Sequence, residues 1–438
     1  MAPAPTPFHI LRNHAAPLAA LAFNPANSCL YAGDQDGVIT ITDLKSRRTI
    51  TSWKAHEGGV LSLVEWEGKL ISHGRDNQIH FYNPMPSHGS LSSRTGPSRP
   101  PPSIESSLST NALNFCRFSF CPISGPSSPS PDTAKGKGKQ REALLAVPNL
   151  VDSELVDIYL LPSKARLHAS INLLPKPPQK GESSLKTAAS RTGLVMAIHL
   201  GFDDVQRLNC VIGYEDGRVE LWRCGAETQH RDQASEESQT AWRRTWDARM
   251  SSGPPLWNKV WEAKGHNEAI MAMVVDSRVH RAFTVSADHM IVRYDLRPFT
   301  SIECPNAIAI PETINPVKAF STGQIGNASL AIPSDGAVVA VGGWDGKIRL
   351  FSAASLKPLG TLAYHRETVH TLTFASASLP KIDADPDAAS TLDIGAEDDS
   401  DGSEDEEAGG VPRSRWLASG GKDKRISLWG LKDFGTAA

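Results

Sequence analysis

The sequence predicts an all-β fold, a seven-bladed β-propeller in which each blade is a small antiparallel sheet. Three observations indicate it. A tight turn followed by a short strand recurs along the chain, a histidine precedes several of these turns by 20–22 residues, and polar segments interrupt the array. Propeller repeats are about 40–45 residues long, so that seven of them need about 280–315 residues. The 438 residues therefore allow seven blades with loop insertions.

The turn-and-strand unit occurs six times in clear form, with an Asp in the turn and an aromatic residue six positions later in five of the copies. Turn residues such as Gly, Asp and Asn adopt positive φ, and alternating polar and apolar residues have the period of a strand. One hairpin cannot bury its apolar face alone, whereas sheets around a closed ring can. The pairs are Asp36 with Thr42, Asp76 with Tyr82, Asp216 with Trp222, Asp288 with Tyr294, Asp345 with Phe351, and Asp423 with Trp429.

The seventh blade is weaker and the ring closes through the first residues. Segments 111–118, 144–147 and 154–159 predict three strands, with Ser153 in place of the turn Asp. Only nine residues follow Trp429, too few for a fourth strand. We therefore expect residues 8–11 (FHIL) to form the outer strand of the last blade, so that one propeller domain spans residues 1–438.

Five segments are predicted to be insertions between strands, because their Ser, Pro or acidic residues cannot bury enough apolar surface to offset the cost of ordering. We expect 84–110, 122–142 and 379–411 to be mobile. Trp242 and Trp246 indicate partial order in the fourth segment. The insertions are 84–110, 122–142, 175–191, 225–256 and 379–415.

A recurring polar set has the residue types of a catalytic triad. The three clearest sets are His56, Ser72, Asp76 and Tyr82; His266, Thr284, Asp288 and Tyr294; and His365, Ser419, Asp423 and Trp429. His14 precedes Asp36 in the same way. A catalytic site is needed once, so recurrence favours a structural hydrogen-bond network. Asp36, Asp216, Trp222 and Asp345 belong to the same predicted network.

Composition argues against several other functions. Lys and Arg number 45 against 48 Asp and Glu, which gives no reason to expect nucleic-acid or membrane binding. The six scattered cysteines favour reduced thiols in an intracellular compartment. Neither Cys116 with Cys121 nor His199 with Cys210 has the spacing of a zinc site. No secretory signal is visible. We expect no catalytic residue, no cofactor and no metal ion.

The order of these elements, from Gly265-His266 through an Asp turn to Tyr294-Asp295, resembles the WD40 repeat. In that family the His, Ser or Thr, and Asp form a structural network within each blade, and the propeller binds other proteins.

Seven further stretches of sequence resemble one particular family of WD40 proteins. They are 8–12 (FHILR), 31–37 (YAGDQDG), 113–116 (LNFC), 146–149 (AVPN), 156–159 (VDIY), 340–349 (AVGGWDGKIR) and 418–423 (ASGGKD). Together they resemble the fungal ASTRA-associated protein 1 family, which is similar to the animal guanine nucleotide-binding protein β-subunit-like protein 1. The resemblance implies a scaffold in a nuclear complex, with a cytoplasmic pool also open, linked to chromatin remodelling and to maturation of phosphatidylinositol-kinase-like kinases. The partners it implies are AAA-type ATPases, kinase-maturation cochaperones and a large kinase-like subunit.

Other hypotheses remain open at this point. Residues 291–297 (IVRYDLR) resemble the box by which some WD40 proteins dock on the adaptor of cullin-type ubiquitin ligases. A G-protein β-like signalling scaffold and a hydrolase carried on a propeller are the remaining alternatives. The basic residues Lys135, Lys137, Lys139 and Arg141 and the acidic segment 393–407 are either solvated loops or binding segments.

Overall fold

Short antiparallel strands, none longer than eight residues, make up nearly all of the regular structure. The computed structural model describes residues 5–84, 100–123, 141–173, 193–225, 241–251, 255–300, 317–324, 326–376 and 411–431. The strands form seven sheets in a ring, so the predicted seven-bladed β-propeller is confirmed. In each blade the first strand lines the central channel and the last forms the rim.

The first strand of the chain, β1 (His9–Leu11), belongs to blade 7. Blade 1 contains β2 (Leu18–Phe23), β3 (Cys29–Asp34), β4 (Val38–Asp43) and β5 (Arg48–Lys54). Blade 2 contains β6 (Val60–Trp66), β7 (Lys69–Gly74), β8 (Gln78–Tyr82) and β9 (Ile104–Ser109).

Blade 3 differs from the others in having a fifth strand. It contains β10 (Ser119–Pro122), β11 (Ala143–Pro148), β12 (Val156–Leu161) and β13 (Ala165–Ile171). Blade 4 contains β14 (Val195–Phe202), β15 (Leu208–Tyr214), β16 (Arg218–Cys224) and β18 (Trp257–Lys264). The fifth strand of blade 3 is β17 (Trp246–Asp247), which pairs in parallel with β13.

Blade 5 contains β19 (Ile270–Val275), β20 (Arg281–Ser286), β21 (Met290–Asp295) and β22 (Val317–Ser321). Blade 6 contains β23 (Asn327–Ala331), β24 (Val338–Gly343), β25 (Lys347–Ser352) and β26 (Pro358–Ala363). Blade 7 contains β27 (Val369–Phe374), β28 (Trp416–Gly421), β29 (Ile426–Gly430) and β1. The helical elements of the described residues are α1 (Arg297–Thr300) and the 3-10 turns Ala241–Arg243 and Arg413–Arg415. None of these helices could cross a membrane.

The ring closes through pairing of β1 with β29. His9 lies opposite Leu428 and Leu11 opposite Ile426, and the backbone N–H of Phe8 donates to the carbonyl of Leu428 at 2.9 Å. The Phe8 ring packs on Trp416 with centroids 4.6 Å apart. The first residues of the chain thus supply the outer strand of the last blade.

The hydrophobic core is a ring of contacts between neighbouring blades. The second strand of a blade is central in its sheet, and both of its faces pack on neighbouring blades. The strands β11, β15, β24 and β28 are accordingly buried along their whole length. Blades 2 and 3, for example, share a cluster that includes Ile71, Phe81, Phe118 and Leu145. The turns between second and third strands and the blade-to-blade connections lie on one side of the ring, here called the upper face.

Blade 3 begins later than its sequence predicts. Residues 111–118 form no strand, and β10 begins at Ser119. The side chain of Asn111 accepts the N–H of Leu113 at 2.8 Å, and that of Asn114 accepts the N–H of Cys116 at 2.8 Å. Such local side-chain bonds compete with strand pairing, which explains why this apolar segment turns.

Three predicted insertions contain structured residues. The segment 84–110 includes β9, the outer strand of blade 2. In 225–256 Trp242 is buried in a cluster with residues of blades 3 and 4. Val411, inside 379–415, is buried against blade 7. Segment 175–191 lies outside the described residues, as do 85–99, 124–140, 226–240 and 377–410.

Candidate functional site

A histidine lies between a carboxylate and a hydroxyl on the upper face of blade 2. His56 Nδ1 is 2.9 Å from Asp76 Oδ1, and His56 Nε2 is 2.7 Å from Ser72 Oγ. Burial lowers the pKa of His56, although the Asp76 carboxylate opposes that effect. The neutral imidazole therefore donates from Nδ1 to Asp76 and accepts at Nε2 from Ser72. Tyr82 packs edge-on against Trp53 with ring centroids 5.7 Å apart.

Blades 5 and 7 repeat this geometry. His266 Nδ1 is 2.9 Å from Asp288, and its Nε2 is 2.8 Å from the Thr284 hydroxyl, which also lies 3.3 Å from the Tyr294 hydroxyl. In blade 7 the corresponding distances from His365 are 2.9 Å to Asp423 and 2.9 Å to Ser419. A further hydroxyl, Ser427, lies 2.6 Å from Ser419 and accepts from the indole N–H of Trp429 at 2.8 Å. The structure thus brings together the His, hydroxyl and Asp of each predicted set.

Blade 1 uses a different aspartate from the one that the repeat spacing indicates. His14 Nδ1 is 2.8 Å from Asp34 and its Nε2 is 2.9 Å from Thr40, whereas Asp36 is exposed and only its backbone N–H reaches Asp34. Burial acts to raise the pKa of Asp34, but hydrogen bonds from His14 and the Val38 N–H hold it below its ordinary value. The repeat spacing does not indicate Asp34, because this residue lies two positions before Asp36 and only the folded blade brings it to His14.

The other predicted residues lie in turns or strands without a histidine partner among the described residues. The Asp216 carboxylate accepts the N–H of Arg218 at 2.9 Å, and Asp345 pairs with Arg349 at 2.6 Å. Trp222 donates its indole N–H to the buried Glu220 at 2.8 Å. Glu220 in blade 4 therefore accepts the indole N–H from the position that Ser427 has in blade 7, two residues before the tryptophan.

Blade 3 contains a buried polar group that the repeat pattern did not indicate. His168 Nδ1 accepts the indole N–H of Trp257 at 2.8 Å, so its Nε2 carries the proton and donates to the Trp242 carbonyl at 2.9 Å. Burial lowers the pKa of His168 to about 4, so the ring is neutral near pH 7. It joins blade 3 to blade 4 and to the segment that contains Trp242.

Three potential metal ligands meet in blade 2. Ligand atoms of His56, Asp76 and His80 lie within 4.8 Å of one another, and the His80 ring stacks on that of His56 with centroids 4.6 Å apart. Both nitrogens of His56 are already hydrogen-bonded to Asp76 and Ser72. A metal ion would have to displace one of these bonds, so the arrangement fits the hydrogen-bond network better than a metal centre.

The hydroxyl groups of the network are inaccessible. Ser72, Thr284 and Ser419 are each 0% exposed. A nucleophile must reach the atom that it attacks, and a substrate cannot approach these oxygens without opening the blade. We therefore assign the network a structural role, in which buried polar groups specify how each blade packs.

The network also fixes the contact between neighbouring blades. Gly37 in blade 1 and Gly217 in blade 4 have φ of 82° and 84°. Their carbonyls accept the backbone N–H groups of His56 and His266 in the following blades, at 3.2 Å and 3.3 Å. Each of these Asp-Gly turns thus holds the histidine-containing loop of the next blade in place through a backbone hydrogen bond.

The box that resembles an adaptor-docking sequence is partly buried. Tyr294 and Leu296 are 0% exposed. The side chain of Arg297, at the start of α1, is paired with Asp295 and is 60% exposed. Arg297 is therefore the one residue of the box that is exposed, while the others are buried or partly buried.

Comparison with known proteins places this geometry in a family. The model of the WD domain, G-beta repeat matches residues 5–43, 320–352 and 411–430. Relatives named ASTRA-associated protein 1 include one from Penicillium rubens that is 30% identical over 97% of both chains. One from Aspergillus niger is 28% identical over 98% of both, and one from Schizosaccharomyces pombe is 26% identical over 98% of this chain and 99% of its own. With its WD40 repeats, its seven blades and this similarity over nearly the whole length, the chain belongs to the ASTRA-associated protein 1 family.

Proposed function

We propose that this protein is a non-enzymatic scaffold subunit of an ASTRA-type complex in the nucleus. The name of its relatives supports the association with ASTRA. The observation that carries the non-enzymatic part is the burial of every hydroxyl in the three predicted His–hydroxyl–Asp sets. A closed ring with a fixed core suits a scaffold because it offers several rigid faces to several partners.

In this proposal the complex serves chromatin remodelling and the maturation of phosphatidylinositol-kinase-like kinases. Its partners are AAA-type ATPases, kinase-maturation cochaperones and a large kinase-like subunit. The support is the resemblance of the sequence to the family, together with a near-neutral net charge of -3, which favours protein partners over nucleic acid.

The test is purification of the full-length tagged protein from its host cells, followed by mass spectrometry of what accompanies it. AAA-type ATPases and cochaperones at near-stoichiometric amounts would support the proposal, and imaging of the tagged protein should place it in the nucleus. A cullin and its adaptor in the eluate would contradict it if they disappear with Arg297→Ala and persist with Arg12→Ala, a change of another exposed arginine.

A further inference from the structure

Exposed apolar side chains are concentrated on the upper face of blade 3. Ten large hydrophobic residues are exposed among the described residues, and six of them lie there. They occupy the connection into β10, the β11–β12 turn and the residues after β13 and β17. We call these six the blade-3 apolar surface: Leu113, Phe115, Leu150, Val151, Leu173 and Met250.

The loops that carry this surface are built with their polar side chains inside. Asn111, Asn114 and Asn149 are buried, each at most 5% exposed, whereas Leu113 and Val151 are each 79% exposed. The Asn111 amide donates to the Asn149 carbonyl at 2.7 Å, and Asn149 Oδ1 accepts the N–H of Val151 at 3.1 Å. The amide of Asn114 donates to the carbonyl of Val195 in blade 4 at 2.9 Å.

This inverted polarity is informative because the free energy of burial favours the opposite arrangement. Apolar surface gains about 25 cal/mol per Å² when it leaves water. Scattered exposed apolar residues are ordinary, but a contiguous exposed patch marks an interaction site. Because the asparagines hold the two adjoining turns in place, the apolar side chains are presented on a preformed surface, and binding would require little further ordering.

Two arginines, one beside this surface and one that extends from it toward the channel, have no carboxylate partner within the described part of the chain. The guanidinium of Arg75 lies 5.0 Å from the centroid of the Phe115 ring. Arg117 donates to the carbonyls of Ala19 at 3.0 Å and His370 at 3.5 Å. These acceptors are on the innermost strands of blades 1 and 7, so the guanidinium of Arg117 crosses the upper mouth of the central channel. The nearby Asp152 carboxylate already faces Arg249 at 3.7 Å.

We propose that the blade-3 apolar surface binds an acidic segment of a partner protein that carries at least two apolar side chains. The apolar side chains pack on Leu113, Phe115 and Val151, and carboxylates of the segment pair with Arg75 and Arg117. Arginine binds carboxylates through paired, charge-assisted hydrogen bonds, and apolar anchors in a preformed surface supply most of the binding energy. This inference rests on the proposed scaffold function and names the chemistry of one partner contact.

Charge also decides against a second copy of this chain as the occupant. A symmetric dimer places the same patch of both copies face to face. Both copies would then bring the same two arginines into one interface, and such an accumulation of like charge is unfavourable there. An acidic segment instead neutralises them.

The experiment selects short random peptides displayed on phage against the full-length protein, with counter-selection against the full-length Leu113→Ser/Val151→Ser variant. We expect the enriched peptides to combine apolar residues with Asp or Glu. In fluorescence polarisation with an enriched synthetic peptide, Arg75→Glu should weaken the Kd by about tenfold or more, equivalent to about 1.4 kcal/mol. Arg117→Ala should weaken it in the same direction. Leu359→Ser, which changes an exposed leucine of blade 6, should leave the Kd unchanged.

Three outcomes would overturn the proposal. The first is that no peptide distinguishes the wild type from the double variant, or that the enriched peptides lack acidic residues. The second is concentration-dependent dimerisation that the double variant abolishes. The third is peptide binding only in a full-length variant whose Asp and Glu residues in 397–407 are replaced by Asn and Gln, which would assign the surface to the chain's own acidic segment. Peptide binding is measured with the purified protein, so it can fail while ATPases still co-purify, and the reverse also holds.

Discussion

Gly217 in blade 4 lies against the carbonyl oxygen of His266 in blade 5, so closely that a methyl group on the glycine would come within 2.2 Å of that oxygen. The same glycine has a φ of 84° and accepts the backbone N–H of His266. The contact therefore combines a turn conformation that favours glycine with an approach that leaves no room for a side chain.

We expect Gly217→Ala to lower the free energy of unfolding by more than about 1 kcal/mol, because alanine is strained at positive φ and its methyl group must displace the His266 loop. Gly360→Ala is the control, since nothing lies within 4 Å of a methyl group at that position. Thermal unfolding of both full-length variants measures the difference. Equal melting temperatures would show that the contact between blades 4 and 5 adjusts to the methyl group without loss of stability.

Two aspartates two residues apart should behave differently. Asp34→Ala removes the partner of His14 and leaves a buried imidazole N–H unpaired, which costs about 1–3 kcal/mol. Asp36→Ala removes an exposed carboxylate and should change stability by less than about 0.5 kcal/mol. Chemical denaturation gives both values. A larger loss of stability for Asp36→Ala than for Asp34→Ala would instead identify Asp36 as the network residue, as the repeat spacing indicates.

Stability should fall below neutral pH through His168. Its pKa is lowered by burial from 6.5 to about 4, so the unfolded chain binds a proton that the folded chain does not. The stability that this neutral ring contributes is complete above about pH 6.5 and is lost as the pH falls from there toward 4. Between pH 7 and 5 the loss from this group is about 2 kcal/mol.

The matched variant for this pH dependence is His168→Gln, which keeps a donor for the Trp242 carbonyl and an acceptor for the Trp257 indole but does not titrate. Unfolding free energies measured at pH 7 and pH 5 should differ less in the variant than in the wild type, by about 2 kcal/mol. An unchanged difference would show that His168 takes up its proton in the folded protein.

Closure of the ring can be tested at two neighbouring residues. Leu11 is 6% exposed and packs in the cluster shared by blades 1 and 7, whereas Arg12 is exposed. Leu11→Ala should cost about 2–5 kcal/mol, the usual range for a buried leucine, and Arg12→Ala should cost little. Limited proteolysis should cut first near β1 in the leucine variant. Equal protection of the two variants would contradict a role for Leu11 in closure.

The repeat spacing predicted the fold and much of the network because both follow from a local unit. His56, Ser72 and Asp76 lie within one blade, and the offsets between them are set by the lengths of two strands and a turn. The same spacing selected Asp36 in blade 1. It could not show that Asp34, the last residue of β3, directs its carboxylate toward His14.

Blade 3 was the least predictable part for a physical reason. Asn111 and Asn114 direct their side chains to the backbone, so the segment 111–118 has the apolar pattern of a strand but forms turns. The partners of His168 are Trp242 and Trp257, which follow it by 74 and 89 residues. No repeat offset relates such residues, and only the assembled ring brings them together.

The pairing of β1 with β29 has a consequence for synthesis of the chain. Until residues 426–428 leave the ribosome, β1 has no partner strand, and the side of blade 1 that packs on blade 7 in the finished ring is exposed to solvent. A chain that has just completed β29 can then meet a later chain on the same messenger RNA whose β1 is still unpaired. The strand that completes one ring can then insert into a neighbour's last blade and produce a swapped dimer. We therefore expect overexpression in crowded polysomes to yield exchanged oligomers, with every blade correctly formed.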